Sequence, residues 1–147
     1  MKLESPVFED DGEIPERYGY ERENVNPELR IRGVPSEAES LVLIVDDPDA
    51  LDPAGKIWDH WIIFDVDPET EVIEEDSAPG TEGKNDYGEK GYGGPNPPDG
   101  EHTYIFRLYA LDTELGLTDD IPRIRVEEEI EDHVLEKSEL KGRYSPV

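Results

Sequence analysis

The stretch Gly91-Tyr-Gly-Gly-Pro-Asn-Pro-Pro-Asp-Gly-Glu-His-Thr-Tyr-Ile-Phe-Arg-Leu-Tyr-Ala-Leu-Asp112 decides how the chain reads. Apart from Tyr92, its segment Gly91 to Gly100 holds only Gly, Pro, Asn and Asp, residues that fix tight, non-repetitive backbone. The segment from His102 is rich in aromatic and branched residues and predicts a strand. Side chains alternate along a strand, so His102 and Tyr104 point to the same side, at the mouth of a rigid loop. That arrangement builds a small polar site on a β scaffold.

Outward from this stretch, Ser40 to Val45 is a continuous apolar run bounded by polar turns, as expected of a central strand covered on both faces. It runs into Asp46-Asp47-Pro48-Asp49-Ala50. Trp58 to Val66 predicts another strand, on which strict alternation puts Trp58, His60, Ile62 and Phe64 on one face. Leu3 to Phe8 reads as a short edge strand interrupted by Pro6. Leu29 and Ile31 alternate with Arg30 and Arg32, which predicts a half-buried strand. In the acidic segment Glu69 to Asp76 only Val72 and Ile73 are apolar anchors. From Ala78 to Gly100 no regular element is read, and so long a segment is usually either a functional loop or an unrecognised element. Val126, Ile130 and Val134 recur every four residues and predict a helix from about Arg123 to Glu139. Glu127 to Glu129 near its start and Lys137 and Lys141 near its end would suit the helix dipole.

Length and composition bound the function. A chain of 147 residues suits one domain, 1–147, with a full core. It has no cysteine, so disulfides, thiolate metal sites and thiol nucleophiles are excluded. The apolar runs are too short to cross a bilayer, and no basic region leads into an apolar run at the N-terminus. A cytoplasmic protein without membrane insertion is therefore expected. Against 14 basic residues stand 39 acidic ones, a formal net charge of −25. Two exposed like charges 10 Å apart in water repel by only about 0.4 kcal/mol, but many pairs add up. High charge would predict disorder if the apolar residues were dilute; here they are gathered into strand-length runs. The acidic surface reads as halophilic, suited to concentrated salt that screens the repulsion, with a basic protein partner as the alternative. Nucleic acid is not an expected partner, because phosphate contacts need clustered Lys and Arg.

Gly94-Pro95-Asn96-Pro97-Pro98-Asp99-Gly100-Glu101-His102-Thr103-Tyr104-Ile105-Phe106, followed by Leu108 to Asp112, resembles the second signature block of the phosphatidylethanolamine-binding protein family, in its small prokaryotic, Raf-kinase-inhibitor-like branch. Thr103 stands where that block has Arg. Asp47-Pro48-Asp49 is similar to the family's first block, although Leu51 stands where a proline is expected. Trp58, His60 and Trp61 match its Trp-x-His-aromatic pattern, and His133-Val134-Leu135 with Gly142-Arg143-Tyr144 resembles its C-terminal ending. The resemblance implies a mainly β fold of two sheets with Greek-key character and a C-terminal helix. It also implies a pocket for phosphate-like or phosphorylated small molecules, lined by Asp47, Asp49, His60, Pro97, Pro98, His102 and Tyr104. In that pocket His60 and His102 would offer imidazole N–H donors, Tyr104 its hydroxyl, and Asp47 would orient a histidine and favour its charge. Pro97 and Pro98 would hold the rim. No cofactor and no bound metal are expected, the prokaryotic branch of the family suggests a homodimer, and the kinase inhibition known for animal relatives is not carried over to this chain.

Taken singly, each of these residues also has a structural reading: a histidine in a strand is often a satisfied core group, and Asp-Pro-Asp is often only a turn. The catalytic alternative is a hydrolase or metal-dependent enzyme using His60, His102 and Asp47. No Gly-x-Ser-x-Gly nucleophile elbow is present, and the residues favour binding over catalysis.

Overall fold

Alternation in two central strands sets the architecture, which the computed structural model describes over residues 1–147. On β4 (Ser40–Asp47), Leu41, Leu43 and Val45 join a core cluster of 19 residues, whereas Val42 and Ile44 join a second cluster of seven. The strand is buried along its whole length because both its faces are covered. Its neighbours are β5 (Trp58–Val66) and β8 (His102–Leu111), both antiparallel to it.

The main sheet has six strands in the order β2-β9-β8-β4-β5-β7, with β2 (Gly12–Glu13), β7 (Thr81–Glu82) and β9 (Val134–Tyr144) completing it. Only β2 and β9 pair in parallel. A smaller sheet, β1-β3-β6, is built from β1 (Lys2–Glu4), β3 (Leu29–Arg32) and β6 (Val72–Ile73). Leu3, Leu29, Ile31 and Ile73 of the small sheet pack with Leu41, Leu43, Val45, Phe106 and Leu108 of the large one, so the larger cluster lies between the sheets. The two-sheet, mainly β fold is the expected one.

The opposite face of the large sheet is covered by α2 (Arg123–Ile130) and the loop before it. Val126 and Ile130 seal Val42, Ile44, Ile62 and Phe64, with Leu115, Leu117 and Ile121 packed at the margin. An ion-pair network ties this helix down. The buried Asp46 carboxylate accepts from Arg107 Nε at 2.8 Å and from Arg123 Nη1 at 2.6 Å, and Arg123 also reaches Asp59 at 3.0 Å. Asp46 is 1% exposed, so losing either arginine leaves a buried charge under-compensated.

Two expectations are corrected. The helix expected over 123–139 ends at Ile130, and Val134–Tyr144 is a strand paired with β8 from Leu111 back to His102. Without it, β8 would leave a long row of unpaired backbone groups, and that demand outweighs the weak helical periodicity. In the strand Leu140, Gly142 and Tyr144 are buried at a spacing of two, while Val134 is 39% exposed. Second, the face shared by Trp58, His60, Ile62 and Phe64 is broken. The register passes from Val45↔Trp61 to Asp46↔Asp59, so His60 is an extra residue in a β-bulge. Ile62 and Phe64 keep to the helix-covered face, whereas Trp58 and His60 line a cavity with Tyr104.

Candidate functional site

At one end of the large sheet the three adjacent strands β5, β4 and β8 bring His60, Asp47, His102 and Tyr104 to a single cavity of about 160 Å³. Two loops finish it: the short helices after β4, including α1 (Leu51–Ala54), supply Ala50, Pro53 and Ala54, and the Gly-Pro loop supplies Asn96, Pro97 and Pro98. The volume is below the roughly 300–1,000 Å³ of sites for drug-sized ligands, so it fits a head group or a small ion.

Asp47 ends β4 by capping the following turn: its Oδ1 accepts the Asp49 N–H at 2.9 Å. Its Oδ2 faces His102 Nδ1 at 2.6 Å, and both side chains are 4% exposed. The other ring nitrogen, Nε2, lies 2.6 Å from Oδ1 of Asp99 in the Gly-Pro loop. A carboxylate only accepts, so the network assigns a proton to each nitrogen of His102. Burial works against the charged ring, but the hydrogen bonds to Asp47 and Asp99 outweigh it and hold the His102 pKa above its ordinary value. Burial raises the Asp47 carboxyl, with the His102 contact opposing.

His60 differs. It is 2% exposed, and the one hydrogen bond of its ring within the protein runs from Nδ1 to the Gly93 carbonyl at 2.6 Å. Burial lowers its pKa to about 4, against the smaller upward pull of the Gly93 and Gly94 carbonyls and of Asp46 and Asp86. At neutral pH it is an uncharged imidazole with its proton on Nδ1, and Nε2 is an acceptor. The expected N–H donor role toward an anion fits neither histidine: the His60 proton is given to the Gly93 carbonyl, burial overruling the acidic surroundings, and both nitrogens of His102 are engaged by Asp47 and Asp99.

Tyr104 is 1% exposed, and its hydroxyl has no hydrogen-bond partner; nor has the buried Nε1 of Trp58. Burial and the Asp47 carboxylate push the Tyr104 pKa far up, so the hydroxyl keeps its proton. Tyr87 forms a wall: its ring meets Trp58 and His60 edge-on, stacks on Tyr20 at 3.8 Å, and its hydroxyl donates to the Gly94 carbonyl.

Of the residues expected at the site, Asp47, His60, Pro97, Pro98, His102 and Tyr104 line the cavity. Asp49 does not; it is exposed, and its Oδ2 accepts the Thr103 N–H at 2.8 Å, fastening the start of β8 to the turn after β4. Trp58, Tyr87, Asn96 and Asp99 were not among the expected site residues. Trp58 carried a signal, standing two positions before His60 on the same side of its strand. Tyr87 and Asp99 lie in irregular backbone, where spacing says nothing of direction. No three His, Asp or Glu side chains converge as metal ligands, and no helix is long and apolar enough to cross a membrane.

The fold and cavity define a class of mainly β proteins with a small open site at a sheet end, where a few polar side chains meet an apolar wall. The chain belongs to the phosphatidylethanolamine-binding protein family, whose sequence profile matches residues 4–145. It is 45% identical over 151 aligned positions to a UPF0098 protein of Methanothermobacter thermautotrophicus, covering 98% of each chain. A UPF0098 protein of Pyrococcus abyssi is 42% identical, with 95% of this chain and 83% of that one covered. Among solved structures, a phosphatidylethanolamine-binding protein homologue from Chlamydia trachomatis superposes with a TM-score of 0.93 at 35% identity, covering 97% of this chain and 95% of that one. YbcL of E. coli, at 24% identity and a TM-score of 0.89 over 99% of this chain and 98% of its own, shares the fold.

Proposed function

We propose that this chain is a non-catalytic binding protein for phosphate-like or phosphorylated small molecules, with the cavity at the ends of β4, β5 and β8 as its site. The observation that carries the reading is the pair of buried donors without hydrogen-bond partners, Trp58 Nε1 and Tyr104 Oη, on residues that line a small cavity. Buried donors without partners cost about 1–3 kcal/mol each, a cost that a bound oxyanion removes. Membership of a family named for a phospholipid supports phosphate chemistry in particular.

Calorimetric titration with inorganic phosphate and with phosphoethanolamine, at fixed high KCl and pH 6.5, tests the reading. Saturable 1:1 binding is expected. Tyr104→Phe, which keeps the ring and removes only the hydroxyl, should weaken it about 10- to 150-fold, as loss of one hydrogen bond to a charged group does. Heat of dilution alone in the parent protein would end the proposal.

A further inference from the structure

The hydrogen bonds already made inside the cavity restrict what can enter it. Both nitrogens of His102 are taken, by Asp47 and by Asp99. Each Asp47 oxygen already accepts one hydrogen bond, from the Asp49 amide and from His102, and the Tyr104 hydroxyl lies beside the same carboxylate, so Asp47 offers the cavity further acceptor capacity and no donor. The buried donors left without a partner are Trp58 Nε1 and Tyr104 Oη, and the one hydrogen bond of the His60 ring leaves its Nε2 free. The character of His60 Nε2 follows from the far side of its ring. Nδ1 is 2.6 Å from the Gly93 carbonyl, which can only accept, so the single proton of a neutral ring sits on Nδ1 and Nε2 presents a lone pair. Asn96, at the exposed rim, can turn its amide either way.

We infer that the cavity selects an oxyanion that itself carries a proton, the P–O–H form of phosphate or of a phosphomonoester, over anions with no proton to give. This rests on the anion-binding reading above and deepens it. Two unprotonated oxygens accept from Trp58 and Tyr104 while the P–O–H donates to His60 Nε2. An anion such as sulfate sets an oxygen lone pair against the Nε2 lone pair in a buried site, where an unmet acceptor is costly.

The groups around His60 keep its ring neutral while the ligand titrates. Tyr104 of β8 packs against it edge-on at 5.1 Å between ring centroids, and Tyr87 of the loop does so at 5.7 Å. The Gly93 carbonyl holds Nδ1, and the Gly94 carbonyl is engaged by the Tyr87 hydroxyl. The carboxylates of Asp46 and Asp86 favour a charged ring, but burial outweighs them and leaves the pKa at about 4. Protonation in this site therefore belongs to the ligand.

The test needs no variant. The intact protein is titrated by calorimetry at pH 6.0 and 8.0, at one fixed KCl concentration, with four probes. These are inorganic phosphate, monomethyl phosphate (one P–O–H and one methyl), dimethyl phosphate (a monoanion without P–O–H) and sulfate. At pH 6.0 phosphate and monomethyl phosphate should bind, and dimethyl phosphate and sulfate should bind at least about tenfold more weakly. Between pH 6.0 and 8.0 monomethyl phosphate should lose more affinity than inorganic phosphate or sulfate, because it gives up its only P–O–H in that range whereas inorganic phosphate keeps one, while His102 affects all three alike. In the nitrogen-15 spectrum, His60 Nε2 should show the shift of an unprotonated ring nitrogen and move upfield when phosphate binds. Sulfate or dimethyl phosphate binding within about twofold of phosphate overturns the inference and leaves the anion site standing. A proton found on His60 Nε2 also overturns it. Failure of all four probes to bind overturns both.

Discussion

Asp99 shows how much one residue on a loop can decide. It is half-exposed, yet it fixes the second nitrogen of the buried His102, so two histidines of one cavity sit at opposite ends of the titration scale. In an NMR titration His102 should lose its proton above the usual imidazole range of about 6.5, and His60 should gain one only near pH 4. Asp99→Asn should move the His102 transition to lower pH and leave His60 unchanged. The linkage signs follow. His102 has a raised folded pKa, so its stabilising contribution is complete below about pH 6.5 and fades as pH rises through the folded value. His60 has a lowered one, so stability present above about pH 6.5 is lost as pH falls toward 4. An Asp99→Asn protein whose His102 titrates as the parent's does would show that Asp47 alone sets the charge. Nothing in the residue pattern signals the Asp99 contact, since it lies in irregular backbone; the Asp47–His102 pair could be anticipated from the resemblance.

At the level of elements, the strands that carry the site were legible and the devices that aim it were not. Leu29–Arg32, Ser40–Asp47, Trp58–Val66 and His102–Leu111 follow from alternation or from continuous apolar runs. The bulge at His60 is invisible to alternation, because it arises from a register shift against a strand distant in sequence. Val134–Tyr144 misleads for a similar reason: its strand state is imposed by β8, while its own residues also satisfy a helical period. The helix that does form, α2, depends on Arg123 bridging Asp46 and Asp59 across the sheet face. Arg123→Leu should destabilise the protein by about 2–4 kcal/mol, read from urea unfolding, because the buried Asp46 then keeps only Arg107. The double variant Arg123→Leu, Asp46→Asn should recover part of that loss. A single variant as stable as the parent would mean that the helix is held by its apolar contacts alone.

For the whole molecule, charge is the dominant quantity. Every arginine is already in an ion pair, and with 39 acidic side chains against 14 basic ones most carboxylates have no cation to meet. Their repulsion must be screened from outside. The screening length is about 7 Å shorter at 1 M salt than at 0.1 M, so stability should rise steeply with KCl. Thermal unfolding at about 0.1 M and about 2 M KCl should differ by at least about 5 °C, corresponding to a few kcal/mol for a chain of this size. An unchanged midpoint would remove salt adaptation as the reason for the acidic surface.

The central place of β4 also has a consequence for how the protein comes into being on the ribosome. β4 and β5 leave the exit tunnel early and can pair at once as a local hairpin, but β4 is apolar on both sides and its other edge stays bare until β8 has been made. Asp47 meets His102 only after 55 further residues have been added. For that interval the nascent chain carries an open, sticky strand edge and no cavity. The same topology that hides β4 in the finished protein makes it the segment most in need of protection during synthesis, and the cavity exists only once the chain has been completed through β8.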